Sequence, residues 1–321
     1  MLEKTIPKFF VFVISFSFVC LIFSGCFSVF SSRDANTART NENVSPNYDK
    51  PQATGKIDSG EITESSGIAA SKCQPNVFWT HNDSGDNAFI FALNAEGKRL
   101  GTWKVTGAKN YDWEDIAEIK TPAGECVLYI GDIGNNSRIR DEFTIYRLRE
   151  PPVSAENKSS NKKNPIATES AEAFRFTYPD IRHDAETLLV HPVTNDIYII
   201  SKRLSGAAAV YKLRSDFDPN KTNKLEKLAD LSVPAIPNGF LTGGDIAPDG
   251  RRVILCDYFN AYELTLPEKA KNFDEIWQET PLIVELGPRD QGEAVGYAAD
   301  GKSIFATSEK KNSPFIEVKR K

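Results

Sequence analysis

A run of four β-branched, aromatic or apolar residues recurs five times along this chain: Val77-Phe78-Trp79-Thr80, Val127-Leu128-Tyr129-Ile130, Ile197-Tyr198-Ile199-Ile200, Val253-Ile254-Leu255-Cys256 and Ile304-Phe305-Ala306-Thr307. After a polar turn each is followed by a second such run, among them Ala88-Phe89-Ile90-Phe91, Phe143-Thr144-Ile145-Tyr146 and Ala209-Val210-Tyr211, so each pair predicts a β-hairpin. Before every hairpin stands a strand of small and apolar residues opened by an acid, as in Trp113-Glu114-Asp115-Ile116-Ala117, Asp184-Ala185-Glu186-Thr187-Leu188 and Gly244-Asp245-Ile246-Ala247. A more polar fourth strand can follow, for example Gly101-Thr102-Trp103-Lys104-Val105 and Leu225-Glu226-Lys227-Leu228. Four antiparallel strands repeated radially predict an all-β fold, a β-propeller of four-stranded blades.

Counting from Ile68, the matching positions are Ile116, Leu188, Ile246 and Val295. Most units are therefore about 50 residues long, and the longer second one carries a polar surface insertion at 151–164. The fifth unit reaches Lys321 after its third strand, so the strand that closes the ring is expected from the N-terminal side, around 54–62. Five blades are visible, and a sixth could be hidden at 149–182 or 214–241. A β-sandwich is the alternative architecture, but the fixed order of acid, apolar strand and hairpin argues against it.

An acid at the start of each inner strand points to one mouth of the central channel. Glu114, Glu186 and Glu293 share one register, with Asp115 and Asp245 one position further on. Carboxylates converging there repel unless protons or a cation intervene, and an all-oxygen donor set suits calcium. The alternative is that each acid caps backbone amides or pairs with an arginine of the next blade. The turns inside the first two hairpins, His81-Asn82-Asp83-Ser84-Gly85 and Gly131-Asp132-Ile133-Gly134-Asn135, each contain Asp-x-Gly. Gly85 and Gly134 suit a positive φ, and Asp83 and Asp132 are candidate ligand contacts. Trp79, Trp103 and Tyr129 read as inter-blade core. Trp113, beside Glu114-Asp115, is a candidate ligand contact. His81 and His183 each adjoin carboxylates and are candidate general bases. No Gly-x-Ser-x-Gly, phosphate loop, His-Glu-x-x-His or Cys-x-x-Cys occurs, which removes several common enzyme classes.

The ends set the compartment. Lys4 and Lys8 precede an uncharged apolar run from Phe9 to Phe23, the pattern of a signal peptide over 1–26. It ends in Phe23-Ser24-Gly25-Cys26, which resembles the lipobox of bacterial lipoproteins with Phe in place of the usual Leu. Cys26 is then the lipidated N-terminus, and the protein is expected to be extracytoplasmic, membrane-anchored through that lipid, in the periplasm or on the cell surface. Residues 27–59, rich in Ser, Asn, Thr, Asp and Pro, are expected as a flexible tether, and 60–321 as the propeller domain. Without 1–26 the chain has 37 basic against 43 acidic side chains, a balance that excludes a nucleic-acid partner and permits cations. Outside the cytoplasm Cys73 and Cys126 could pair, while Cys256 reads as a buried, inert thiol.

The strings Ser66-Gly67-Ile68-Ala69-Ala70-Ser71, Trp79-Thr80-His81-Asn82-Asp83-Ser84-Gly85, Asp112-Trp113-Glu114-Asp115-Ile116-Ala117, Tyr129-Ile130-Gly131-Asp132-Ile133-Gly134-Asn135-Asn136 and Asp184-Ala185-Glu186-Thr187-Leu188 resemble a family of uncharacterised bacterial secreted β-propellers. More distantly, Gln291-Gly292-Glu293-Ala294 followed by Ala299-Asp300-Gly301-Lys302 is similar to the last blade of β-propeller phytases and to esterase-like propellers. That resemblance implies calcium held by Glu293 and, by repeat equivalence, by Glu186 and Glu114. A phytase also needs basic groups for phosphate; Lys202-Arg203 and Arg251-Arg252 could serve but do not match the pattern. The expected function is calcium binding at the channel mouth, with hydrolysis of an ester or phosphoester. The alternative is a non-catalytic propeller of the cell envelope that binds a small-molecule, carbohydrate or protein ligand.

Overall fold

The computed structural model describes residues 43–321. The expected signal peptide, Cys26 and the first part of the tether lie outside the described residues. The strands form five sheets, whose order below runs from inner to outer strand. Blade 1 comprises Ser65–Ala70, Phe78–Asn82, Phe89–Leu93 and Arg99–Thr106, and blade 2 Trp113–Lys120, Cys126–Asp132, Phe143–Arg149 and Glu172–Thr177. Blade 3 is Ala185–Val190, Ile197–Ser201, Ala208–Leu213 and Glu226–Leu231, and blade 4 Gly243–Ile246, Arg252–Cys256, Asn260–Thr265 and Leu282–Glu285. In blade 5 the chain's own strands Ala294–Tyr297, Ser303–Thr307 and Pro314–Lys319 are completed by Gln52–Lys56, antiparallel to Pro314–Lys319.

The fold is thus a five-bladed β-propeller closed by an N-terminal strand. The stretches that could have hidden a sixth blade hold outer strands and loops instead. The closing strand begins slightly earlier than the sequence suggested, because Ile57 and Ile62 beyond it turn inward and are buried between blades 5 and 1. Residues 43–51, expected as tether, also belong to the propeller. The Ser45 amide donates to the Ile283 carbonyl at 2.8 Å, the Asp49 amide to that of Lys319 at 2.8 Å, and the buried Tyr48 hydroxyl donates to Glu263.

Both faces of a blade are covered by its neighbours, so the middle strands read as unbroken apolar runs rather than alternating ones. Phe89–Leu93 and Ile197–Ser201 are buried throughout, whereas the outer Arg99–Thr106 alternates towards solvent. The core accordingly divides into five apolar clusters, one in each gap between adjacent blades. Trp79 and Trp103 meet edge to face at 5.0 Å in the gap between blades 1 and 2. At the axis the inner strands approach so closely that a Cβ on Gly67 would stand 2.7 Å from Asp115 Oδ1 and from the Ile116 amide.

Blades 1 and 2 are joined twice more. The insertion at 151–164 forms a short 3₁₀ helix, Ala155–Ser159, and leads into Ile166–Ser170, which pairs in parallel with the outer strand of blade 1. Cys73 and Cys126 form a disulfide with Cα atoms 6.0 Å apart. Closing a loop across 53 residues contributes about 4 kcal/mol through the unfolded chain. Cys256 is fully buried, and burial pushes its thiol up to about 12.

Strand direction gives the ring two ends. One carries the connections into each inner strand together with the turns between second and third strands; the other carries the remaining turns and the disulfide. The first is the mouth at which the acids gather.

Candidate functional site

Three inner strands break register at their mouth ends. The pairing slips between Ser65 and Gly67, between Trp113 and Asp115, and between Ala185 and Thr187, leaving Ser66, Glu114 and Glu186 as the extra residues of β-bulges. A bulge re-aims its side chain, and here Glu114 and Glu186 come together with Glu293, which directly precedes the inner strand of blade 5. All three are at most 3% exposed.

Two carboxylate triads meet at Glu114. Asp83, Asp112 and Glu114 present oxygens that all lie within 4.8 Å of one another, and so do Glu114, Asp184 and Glu186. Asp83 sits on the hairpin turn of blade 1; Asp112 and Asp184 each stand two residues before a bulged glutamate. The blade 2 hairpin turn packs between them. The Asn135 amide donates to Asp184 Oδ1 at 2.8 Å, and Gly134 lies where a Cβ would come 2.0 Å from Glu114 Oε1 and 2.5 Å from Asp112 Oδ2. Gly134 does not take the expected positive φ; it is required by this close approach. Gly85, at φ 81°, is the conformational glycine of the pair.

The electrostatics are those of carboxylates crowded together under burial. Burial, then the charges of Glu186, Asp83, Asp112 and Glu293, hold the Glu114 carboxyl well above its ordinary range. Glu186 is raised well above it too, by burial and by Glu293 and Asp184, even though Lys202 Nζ stands 2.5 Å from its Oε1. Burial and neighbouring acids push Asp83 up to about 7 and Glu309, on the blade 5 turn, to about 8. Lys202 also lies over the rings of Phe240, at 4.7 Å, and Tyr258, at 5.5 Å. Two buried carboxylate oxygens of the triads have no hydrogen-bond partner: Glu114 Oε1 and Glu186 Oε2. An unpaired buried carboxylate oxygen costs several kcal/mol in order of magnitude unless a cation or proton meets it.

Asp115 and Asp245, expected beside the glutamates as metal ligands, are instead committed to backbone amides. Asp115 Oδ1 accepts from Ile116 N at 2.9 Å and its Oδ2 from Leu188 N, in the next blade, at 3.0 Å. Asp245 repeats this with Ile246 N at 2.8 Å and Tyr297 N of the following blade at 2.9 Å. Neither belongs to the triads. Each laces its inner strand to the next.

The two histidines are engaged outside the triads as well. His81 is fully buried, its ring edge-on to Trp113 at 5.8 Å and its Nδ1 2.9 Å from the Asn82 carbonyl, and burial lowers its pKa to about 4. His183 Nε2 is bound to the Tyr211 hydroxyl at 2.6 Å and to Asp180 at 3.2 Å. Trp113, expected as a ligand contact, is fully buried, and its indole donates to the Lys109 carbonyl. Asp132 is paired with Arg140 at 2.7 Å. Of the basic pairs, Lys202 reaches the mouth; Arg252, bonded to Asp249 and the Gly301 carbonyl, lies at the opposite end. Asp112, Asp184, Tyr258 and Glu309 were not singled out from sequence as site residues, and Lys202 was named only within a basic pair that could serve phosphate. The repeated Asp-x-Glu of Asp112-Trp113-Glu114 and Asp184-Ala185-Glu186 was the available signal for the first two.

Among solved structures the chain resembles a luciferin-regenerating enzyme, at 11% identity over 83% of this chain and 94% of that one, with a TM-score of 0.45. It also resembles a gluconolactonase from Xanthomonas campestris, at 9% identity over 84% and 89%, with a TM-score of 0.46. These likenesses are distant and concern the fold alone. No family model matches the sequence, and no curated protein matches it.

Proposed function

We propose that this chain is an extracytoplasmic propeller, anchored through a lipid on Cys26, that binds a divalent cation, calcium foremost, at the acidic mouth and there hydrolyses an ester or phosphoester. The observation that carries the reading is the buried, unpartnered Glu114 Oε1 facing Asp83 and Asp112. Three carboxylates with only oxygen to offer fit a hard dication. The Cys73–Cys126 disulfide supports an oxidising compartment.

When bound, the cation would supply Lewis-acid polarisation of a carbonyl or phosphoryl oxygen. The chain's own residues define the rest. Lys202 holds Glu186 in place, and with His81 and His183 withdrawn, the proton has to move through a mouth carboxylate. The loops around the mouth expose Tyr111, Ile139, Ile181, Leu204, Ile236 and Phe259, six of the seven large apolar side chains exposed among the described residues. A ring of apolar tips about an acidic throat suits a substrate with an apolar body and an oxygen-rich head.

Purified protein assayed on lactones, aryl and acyl esters and phosphate esters should show turnover that chelator removes and calcium restores. Absence of cation-dependent turnover across that panel rejects the hydrolase. The withdrawal of both histidines favours a second reading, a cation-dependent binding module without catalysis. Under that reading the apolar esters bind in calcium and remain intact.

A further inference from the structure

We infer that the mouth holds two divalent cations in adjoining sites that share Glu114 as a common ligand. The inference rests on the cation-binding reading and goes beyond it in number, ligand set and order of filling.

The two triads share Glu114 alone: Asp83 and Asp112 complete one, Asp184 and Glu186 the other. Each triad has its own buried oxygen without a partner, Glu114 Oε1 in one and Glu186 Oε2 in the other. Glu186 is not part of the Asp83–Asp112–Glu114 triad, so an ion held there leaves Glu186 Oε2 without a partner. Charge points the same way. Asp83, Asp112, Glu114, Asp184, Glu186, Glu293 and Glu309 gather around one mouth, opposed by Lys202, bonded to Glu186, and by Arg140, whose charge reaches Asp112 without an ion pair to it. A single dication leaves several of these carboxylates without a cation beside them, and a second is still accommodated.

The sites are not equivalent. Lys202 Nζ already occupies Glu186 Oε1 at 2.5 Å, which lowers the charge available to a cation in the second triad and places a like charge beside it. No such lysine contacts Asp83 or Glu114 among the described residues. The Asp83–Asp112–Glu114 site therefore fills first, and the Glu114–Asp184–Glu186 site second and more weakly.

The test is calcium stoichiometry on the full-length protein and on Asp83→Asn, Asp184→Asn and Glu114→Gln, by titration calorimetry and elemental analysis, with thermal melts to confirm folding. Asparagine at 184 keeps an oxygen for the Asn135 amide, so that variant retains the local bond. The expected result is two ions for the parent. Asp83→Asn should lose the tighter by at least tenfold, Asp184→Asn the weaker, and Glu114→Gln both. One ion in the parent, lost equally in Asp83→Asn and Asp184→Asn, overturns the shared pair but leaves the cation site standing. No ion at millimolar calcium or magnesium removes both. Should a variant fail to fold, manganese-loaded parent protein decides alone: a spin-coupled electron paramagnetic resonance spectrum at saturation supports the pair, and an isolated six-line spectrum overturns it.

Discussion

Asp245→Ala is expected to lower the Tm by on the order of 10 °C and to leave calcium binding at the mouth intact. The carboxylate accepts from the Ile246 amide of its own strand and from the Tyr297 amide of the next blade, at 2.8 and 2.9 Å, and it is buried. Alanine leaves both donors without an acceptor where water does not readily reach. Each orphaned donor costs about 1–3 kcal/mol, and at roughly 2–4 °C per kcal/mol for a domain of this size the loss reaches that range. The same argument applies to Asp115, which laces blade 2 to blade 3. Thermal melts with and without calcium check it: a variant as stable as the parent but unresponsive to calcium would make Asp245 a ligand after all.

The opposite behaviour is expected at Glu114. Its raised pKa, and those of Asp83 at about 7 and Glu309 at about 8, mean that the cation-free fold favours the protonated carboxyls relative to the unfolded chain. The stability these groups contribute is present in full below their unfolded pKa, near 4, and is lost as pH rises through the folded values. By this contribution the cation-free protein melts lower at pH 8.5 than at pH 5, by about 5–10 °C if a few kcal/mol are lost. His81, lowered to about 4 by burial, works in the opposite sense between pH 5 and its ordinary value of 6.5. The exposed Asp141, held low by its bonds to Arg182, changes its contribution only below about pH 4, outside this window.

Calcium at 100 times its dissociation constant should return about 2.7 kcal/mol at pH 8.5. Glu114→Gln removes one of the repelling charges and a ligand together. It should melt no lower than the cation-free parent at pH 8.5 and gain nothing from calcium. A Glu114→Gln protein whose melting still rises with calcium as the parent's does would exclude Glu114 from the site. So would a cation-free Glu114→Gln protein whose melting falls from pH 5 to pH 8.5 as steeply as the parent's.

The ring was legible because its cause is local. Each blade needs an apolar hairpin covered on both faces, and Val77-Phe78-Trp79, Ile197-Tyr198-Ile199 and their counterparts carry that pattern openly. The closing strand was legible from the fifth unit's lack of an outer partner. Residues 43–51 were not, since they are held by backbone bonds and by Tyr48 reaching Glu263, with no apolar period to announce them. The site was read in part. Glu114, Glu186 and Glu293 do converge, but the bulges that aim Glu114 and Glu186 depend on pairing between strands, which spacing along one chain does not report. Adjacent Asp115 looked equivalent to Glu114 for the same reason: a bulge sends two neighbouring acids to different tasks, one to the open mouth and one to the amides of the next blade. His81 and Trp113 adjoin acids in sequence, yet fill the gap between blades 1 and 2.

The central claim is that the mouth carboxylates are cation ligands, and diffraction from crystals grown in millimolar calcium tests it most directly. The account predicts anomalous density at about 2.3–2.6 Å from a Glu114 oxygen, within reach of Asp83 and Asp112. Crystals in which calcium sits elsewhere, with Glu114 meeting only water or a protonated neighbour, would contradict it.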